Sequence, residues 1–399
     1  MVSVLAMPAT AIRTAPEDLR LLAERFDPDV IDVPGGRARI RLEVTAGEAW
    51  DALIDGPDLR LDRAAEDALP DALLEADAAT WARMATDLRE GMSAFGARRL
   101  RIRRNLHLGV GLLAATSGST DPGRLRFTRL ATRTGGSLSA VCAGQGDTVL
   151  CLHGLGGTKA SFLPTVAALA DSYRVVALDL PGFGESAKPI GAPYNAAWFA
   201  RVAVEALDAL EVEQAHLVGN SMGGRVAIEA GLTRGERVNG LALLSPALAW
   251  LRDRRWLPLV RLVRPELGML QVTPRPVVER VVRRMLPSTM DDWVAVGLDE
   301  FLRSYLTPRG RAAFYAAARN IYLDEPHGDD GFWTRLAGLA PDSLFVWGRK
   351  DTLVPIGFMR HVERVLPAAR HLELDCGHVP QLEAPRATHG AIRDFLRER

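Results

Sequence analysis

The chain has 399 residues, 48% apolar and 25% charged, and its 49 basic residues balance 49 acidic ones. That composition excludes a disordered, collagen-like or disulfide-scaffold chain, and at about 100–200 residues per domain two or three domains are expected. With no net positive field, no nucleic-acid partner is expected.

No basic segment precedes the first apolar residues, Pro8 interrupts them, and no run approaches the roughly 18 apolar residues of a membrane span. The three cysteines, Cys142, Cys151 and Cys376, are odd in number and form no C-x-x-C pair, so neither a disulfide framework nor a zinc site is supported. A reduced, cytoplasmic setting is expected. At 37–44, Arg37, Arg39 and Arg41 alternate with Ala38, Ile40 and Leu42, the period of a half-buried strand. Weaker strands are predicted at 59–61 and 69–74. Trp81, Met84 and Leu88 recur at helical spacing in 78–90, a strand follows at 100–103, and a helix closes the unit at 106–115. The spacing thus predicts a small α+β domain over 1–117. The small, polar run Thr116-Ser-Gly-Ser-Thr-Asp-Pro-Gly123 predicts a linker at 118–124.

Beyond it, β and α alternate. Strands are predicted at 125–133, 137–142, 148–153, 174–180, 216–219, 240–245, 344–347 and 371–374. Helices are predicted at 161–170, 195–210, 223–233, 357–365 and 385–397. Apolar strands separated by helices imply an α/β domain over 125–399 with a mostly parallel eight-stranded sheet covered on both faces. The interval 248–340 is too long for a loop and reads as a helical cap. Its first part, 248–288, is rich in bulky apolar residues, with nine arginines against three acids. A greasy substrate pocket is expected there, with Trp250 and Trp256 touching substrate. The same features leave peripheral membrane contact open.

The chemistry-bearing pattern is Gly219-Asn-Ser-Met-Gly223, after the apolar run of 216–218 and ahead of a helix. A serine on such a tight strand–turn–helix corner sits in a strained backbone, and the flanking glycines remove side chains that would clash. A serine hydroxyl needs a base and an acid that orients the base. Asp351 and His378 each follow a predicted strand, giving the order Ser221, Asp351, His378. Of eight histidines only His378 lies in a loop after a strand and follows a glycine. Asp375 and Asp253 remain rivals for the acid. The loop His153-Gly-Leu-Gly-Gly157 can offer an amide to a developing oxyanion. The Leu155 and Met222 amides are assigned that role, with His153 and Gly154 beside the substrate.

Together these residues resemble the α/β-hydrolase superfamily over 125–399. Asp179-Leu-Pro-Gly-Phe-Gly-Glu-Ser186 looks like the turn after strand four in that family, where the resemblance makes its residues structural. The segments 37–44, 70–77, Thr80-Trp81 and 98–108 resemble an SCP2-like sterol-carrier domain, which implies an apolar tunnel in 1–117. The resulting expectation is a serine hydrolase of carboxylic esters acting on a small-molecule acyl or lipid substrate through a Ser221–His378–Asp351 triad. It requires no metal and no organic cofactor. Two alternatives stay open: a carbon–carbon bond hydrolase with the same triad, and a lipid carrier with an inert hydrolase domain. The sequence assigns no oligomeric state.

Overall fold

The structure, a computed structural model, describes residues 15–86, 90–249, 257–262, 264–271, 274–285 and 291–398. The chain divides into two compact units, Met1–Thr128 and Arg129–Arg399. Among the described residues, no helix is long and apolar enough to cross a membrane.

In the first unit, strands β1 (Arg37–Val44), β2 (Ala49–Asp55), β3 (Asp58–Arg63), β4 (Ala72–Ala76) and β5 (Leu100–Arg103) form one sheet in the order β3-β2-β1-β4-β5. The alternation in β1 sends Ala38, Ile40 and Leu42 into the core. Arg39 and Arg41, on the opposite face, both grip the buried carboxylate of Asp51 on β2, at 2.6 and 2.8 Å. In β2, Trp50, Ala52 and Ile54 face the core and Asp51 shares the arginine face, but the apolar Leu53 on that same face blurs the alternation that would have marked the strand. Of the helix predicted at 78–90, Ala78–Thr86 are helical, and Glu90–Gly96 are helical beyond residues 87–89, which lie outside the described residues. Helix Leu106–Ala115 is apolar but for His107, which reaches the Asp32 carbonyl at 2.6 Å, and is entirely buried. Where the resemblance implies an apolar tunnel, the described residues leave a small apolar space. The apolar space between Leu42, Leu61, Leu74, Trp81, Met84 and Leu112 amounts to about 20 Å³. That is room for roughly one water.

The second sheet comprises β6 (Arg126–Thr132), β7 (Gly136–Ala143), β8 (Thr148–Leu152), β9 (Arg174–Leu178), β10 (Ala215–Asn220), β11 (Val238–Leu244), β12 (Ser343–Gly348) and β13 (Arg370–Leu374). Their order is β13-β12-β11-β10-β8-β9-β7-β6. This sheet is mixed, a correction to the mostly parallel one expected. The pairs β8–β9, β8–β10, β10–β11, β11–β12 and β12–β13 are parallel, but β7 runs antiparallel to β9. The connection from β7 to β8 is too short to hold a crossover helix, so the chain must reverse there.

Strands β8, β10 and β12 are buried along their whole length, as a sheet covered on both faces requires. Helix Ala196–Ala209 packs on Met222–Thr233, and Leu163–Leu169 packs on Pro385–Arg397. Between β11 and β12 the chain inserts helices Leu257–Leu262, Arg275–Met285, Asp291–Tyr305, Pro308–Leu323 and Phe332–Leu336. Phe301, Tyr305, Phe314 and Tyr315 join two of these through edge and stacked ring contacts. The cap is fastened to the body by an Arg303–Glu185 ion pair, and Asn320 Nδ2 donates to the Pro193 carbonyl at 2.6 Å.

Candidate active site

Strand β10 ends at Asn220, and helix Met222–Thr233 begins two residues later. Ser221 makes the corner with φ 52° and ψ −115°, the left-handed side of the map that an L-residue occupies only under constraint. Two glycines make the corner possible. A Cβ on Gly223 would lie 1.9 Å from the Leu152 carbonyl oxygen, and one on Gly219 would lie 2.4 Å from the Gly223 carbonyl oxygen. The elbow therefore presses directly on the end of β8. The Ser221 amide donates to Leu244 O at 3.0 Å, which ties the corner to β11. Ser221 stands at the N-terminus of a twelve-residue helix, which favours negative charge on an oxygen reacting there.

His378 and Asp351 lie on the loops that follow β13 and β12. The His378 Nδ1–H donates to Asp351 Oδ2 at 2.7 Å. The other oxygen, Oδ1, accepts the Leu353 and Val354 amides at 2.8 and 2.9 Å, and the side chain is wholly buried. A carboxylate held this way fixes the imidazole with its proton on Nδ1 and its lone pair on Nε2. The rival Asp375 is three residues from His378 in sequence, but its carboxylate is exposed and paired with Lys350 at 3.0 Å. Asp253 lies outside the described residues.

Two residues that sequence reasoning passed over bring the histidine loop to the elbow. Asn220 Nδ2 donates to the His378 carbonyl at 3.0 Å, joining the residue before the serine to the candidate base. Glu383 accepts the Gly377 amide at 2.8 Å and the Val379 amide at 2.9 Å, clamping His378 from both sides.

The glycine loop after β8 reaches the same corner. A Cβ on Gly154 would stand 3.2 Å from Ser221 Cβ, so the loop backbone lies against the serine. Leu155 is half-buried next to it, and Met222 is buried on the helix side. Both amides thus belong to segments that flank Ser221. His153 takes a different place from the one expected. Its ring is fully buried, Nε2 accepts the Leu180 amide at 2.9 Å, and Nδ1 donates to Gly154 O at 2.7 Å. With both nitrogens spent on backbone, the ring shapes the loop and has no polar atom left for substrate. Burial also pushes its pKa down, against the opposing pull of Asp179. Of the two tryptophans expected to touch substrate, Trp250 and Trp256 both lie outside the described residues. Phe301 and Phe314 of the cap do reach the loop: a Cβ on Gly156 would lie 2.8 Å from one ring and 3.3 Å from the other.

Two charge networks brace the corner. Asp179, at the end of β9, is completely buried and accepts Lys159 Nζ at 2.6 Å, the Lys159 amide at 2.7 Å and the Glu185 amide at 2.8 Å. Burial alone would raise its pKa, but the Lys159 ammonium and these donors hold it well below the usual carboxylate range. On helix Met222–Thr233, buried Arg225 pairs with Glu229 and Asp324, each at 2.9 Å, and lies over the Phe332 ring. Arg335 completes the chain to Glu229 at 2.7 Å. Burial raises the Glu229 pKa, but the two guanidinium groups overcome it and hold the group ionised. Asp324 and Arg335 belong to the cap, so this network joins it to helix Met222–Thr233. A cavity opens beside it, lined by Phe199, Met222, Val226, Leu248 and Ile321 with Arg225. Among the described residues, no three His, Cys, Asp or Glu side chains converge as metal ligands would.

Residues 147–385 match a family model described as alpha/beta hydrolase fold. The chain belongs to the α/β-hydrolase fold family. A dihydrolipoyllysine-residue acetyltransferase component of an acetoin cleaving system from Cupriavidus necator is 32% identical over 268 residues. The match covers 63% of this chain and 64% of that protein, so the chain spans under two thirds of that relative's length. A 2-hydroxy-6-oxononadienedioate/2-hydroxy-6-oxononatrienedioate hydrolase from Escherichia coli is 29% identical over 261 residues, 63% of this chain and 88% of its own. A bacterial membrane phospholipase A, in its crystal structure, is similar with a TM-score of 0.54 at 25% identity, covering 77% of this chain and 96% of that one. Within the α/β-hydrolase fold, the elbow, the histidine loop and the acid loop stand at the C-terminal ends of β10, β13 and β12, where sites of open α/β sheets gather.

Proposed function

We propose that the chain is a serine hydrolase of carboxylic esters with apolar acyl groups. The observation that carries the reading is the 2.7 Å Asp351–His378 pair, tied through Asn220 to a serine at φ 52°. In this reading His378 Nε2 takes the Ser221 proton as the hydroxyl oxygen attacks the acyl carbon. Asp351 keeps the tautomer and stabilises the imidazolium that forms. The Leu155 and Met222 amides receive the carbonyl oxygen as it becomes negative, each worth about 3–4 kcal/mol in the transition state. His378 then returns the proton to the leaving alcohol. Water, deprotonated by the same nitrogen, releases the acid. The cavity lined by Met222, Val226, Leu248, Phe199 and Ile321, about 50 Å³ in volume, supports a short apolar acyl group, because it adjoins the residue assigned one oxyanion amide.

A carbon–carbon hydrolase is the second reading, favoured by the likeness to the Escherichia coli hydrolase of a hydroxy-oxo diacid. Its substrate carries two carboxylates, whereas Arg225, the cation lining this cavity, is already paired with Asp324 and Glu229. The test is kcat/KM on p-nitrophenyl esters of increasing chain length, beside a 2-hydroxy-6-oxo-dienedioate. Esters are expected to lead, with an optimum beyond acetate. Turnover of the diacid alone would move the assignment to the second reading. Lipid carriage by the first unit stays, with its SCP2-like reading, an implication of the sequence resemblance.

A further inference from the structure

The cap presents a face that its own core does not use. Helix Leu257–Leu262 and the turn Pro265–Leu270 are fastened to helix Pro308–Leu323 through their main chain. Arg319 Nε donates to Val260 O at 3.0 Å and its Nη2 to Arg261 O at 2.8 Å, while Arg311 Nε donates to Gly268 O at 3.0 Å. Held by its carbonyls, the segment leaves its leucines in water: Leu259 is 57% exposed, Leu262 79%, Leu267 61% and Leu270 79%. In each element the two leucines are three residues apart and so share a side. Helix Arg275–Met285 repeats the arrangement. Val277 and Val281, four apart, are about half exposed, while Val278 turns inward on Leu298, Leu302 and Tyr305. Large aliphatic side chains scattered singly on a surface are ordinary; six within one short segment mark an interaction surface.

The charges around them select the partner. Arg261, Arg264 and Arg280 are exposed among these side chains. Residues 257–285 hold six arginines against two acids, and one of those acids, Glu279, is taken by Arg275 at 2.7 Å. A second copy of the chain would bring the same positive charge to the same face and be repelled. An anionic surface with an apolar layer beneath it satisfies both features, the arginines at the headgroups and the aliphatic side chains below them.

We propose that the outer face of the cap, built on Leu259, Leu262, Leu267, Leu270, Val277 and Val281 with their intervening arginines, docks on an anionic lipid surface. The surface goes beyond the hydrolytic reading and is tested without turnover, so either can fail alone. The full chain carrying Ser221→Ala is sedimented with vesicles of phosphatidylcholine and phosphatidylglycerol in equal parts, and with phosphatidylcholine alone. Binding is expected to the mixed vesicles, weakened by salt, and much lower to the zwitterionic ones. The double variant Leu262→Ser/Leu270→Ser should partition at least about tenfold less. A second variant, Arg261→Gln/Arg264→Gln, should lose most of the preference for anionic lipid. Both variants are at exposed positions and should keep the wild-type thermal midpoint. Absence of binding by the parent chain, equal binding to both vesicle types, or an unchanged partition of the leucine variant would overturn the proposal. A concentration-dependent dimer that the leucine variant abolishes would assign the face to a second copy instead.

Discussion

Asp351→Asn separates an orienting carboxylate from a merely structural one, and the geometry dictates how it acts. Asp351 Oδ1 accepts two amides, from Leu353 and Val354, while Oδ2 alone faces His378. An asparagine in that site keeps its carbonyl oxygen toward the two amides, since an NH₂ turned to them would meet two N–H donors and no acceptor. The NH₂ then faces His378 Nδ1, where a donor meets a donor. The imidazole must move its proton to Nε2, the nitrogen that has to receive the Ser221 proton. Presenting the wrong tautomer typically lowers kcat by about 10⁴, equivalent to about 5.5 kcal/mol in the barrier. Asp375→Asn is the matched control. It removes an exposed pair with Lys350, which contributes about 1 kcal/mol at most to stability and should change turnover less than about twofold. The assay is kcat and KM on a p-nitrophenyl ester for the parent and both variants, with near-ultraviolet circular dichroism to show that each is folded. A folded Asp351→Asn enzyme within tenfold of the parent, or a larger loss from Asp375→Asn, would refute the reasoning.

Three further outcomes follow from the buried groups. Lys159→Met strands the Asp179 carboxylate without its cation in a site that excludes water. It should cost about 3–5 kcal/mol of unfolding free energy in a urea titration, and a change under about 1 kcal/mol would contradict the buried pair. Gly223→Ala places a Cβ where Leu152 O lies 1.9 Å away, so about 3 kcal/mol or more of stability, or nearly all turnover, should be lost. His389, buried against Thr165 at 3.0 Å, is pushed down to about 4 by burial, with Arg393 adding to the effect. In the unfolded chain its imidazole titrates near about 6.5, so between these values the unfolded state binds more protons. Stability is therefore full above about pH 6.5 and falls as the pH drops toward about 4, by up to about 3 kcal/mol from this group. Thermal midpoints across that range should fall for the parent, and less steeply for His389→Gln; identical slopes would contradict the assignment.

The strands of the second sheet are legible because each is a short apolar run ended by turn residues, and that pattern is local. The elbow is legible for the same reason: its glycines stand within two residues of the serine whose corner they permit. Partner choice across long sequence separations is not written in any local pattern. Asp375 is nearer to His378 along the chain than Asp351, yet the fold turns it outward to Lys350. Asp51 interrupts the apolar run of β2, and only the two arginines of β1 explain why it can be buried there. Lys159 and Asp179 are twenty residues apart, and Arg225 finds Asp324 across ninety-nine, so neither network could be read before the chain was folded. The antiparallel β7 follows from a short connection whose consequence depends on which strands become neighbours. His153 stood in a motif that invited a ligand, but the Leu180 amide and the Gly154 carbonyl take both its nitrogens.

The account stands on Ser221 as a nucleophile activated by His378, and covalent labelling reads that directly. The full-length chain is treated with a fluorophosphonate and its intact mass and peptide map are recorded. The account predicts a single adduct on Ser221, absent from Ser221→Ala and slowed strongly in His378→Asn, with both variants folded. No adduct on the parent chain, or an adduct on another residue with Ser221 unmodified, would contradict it.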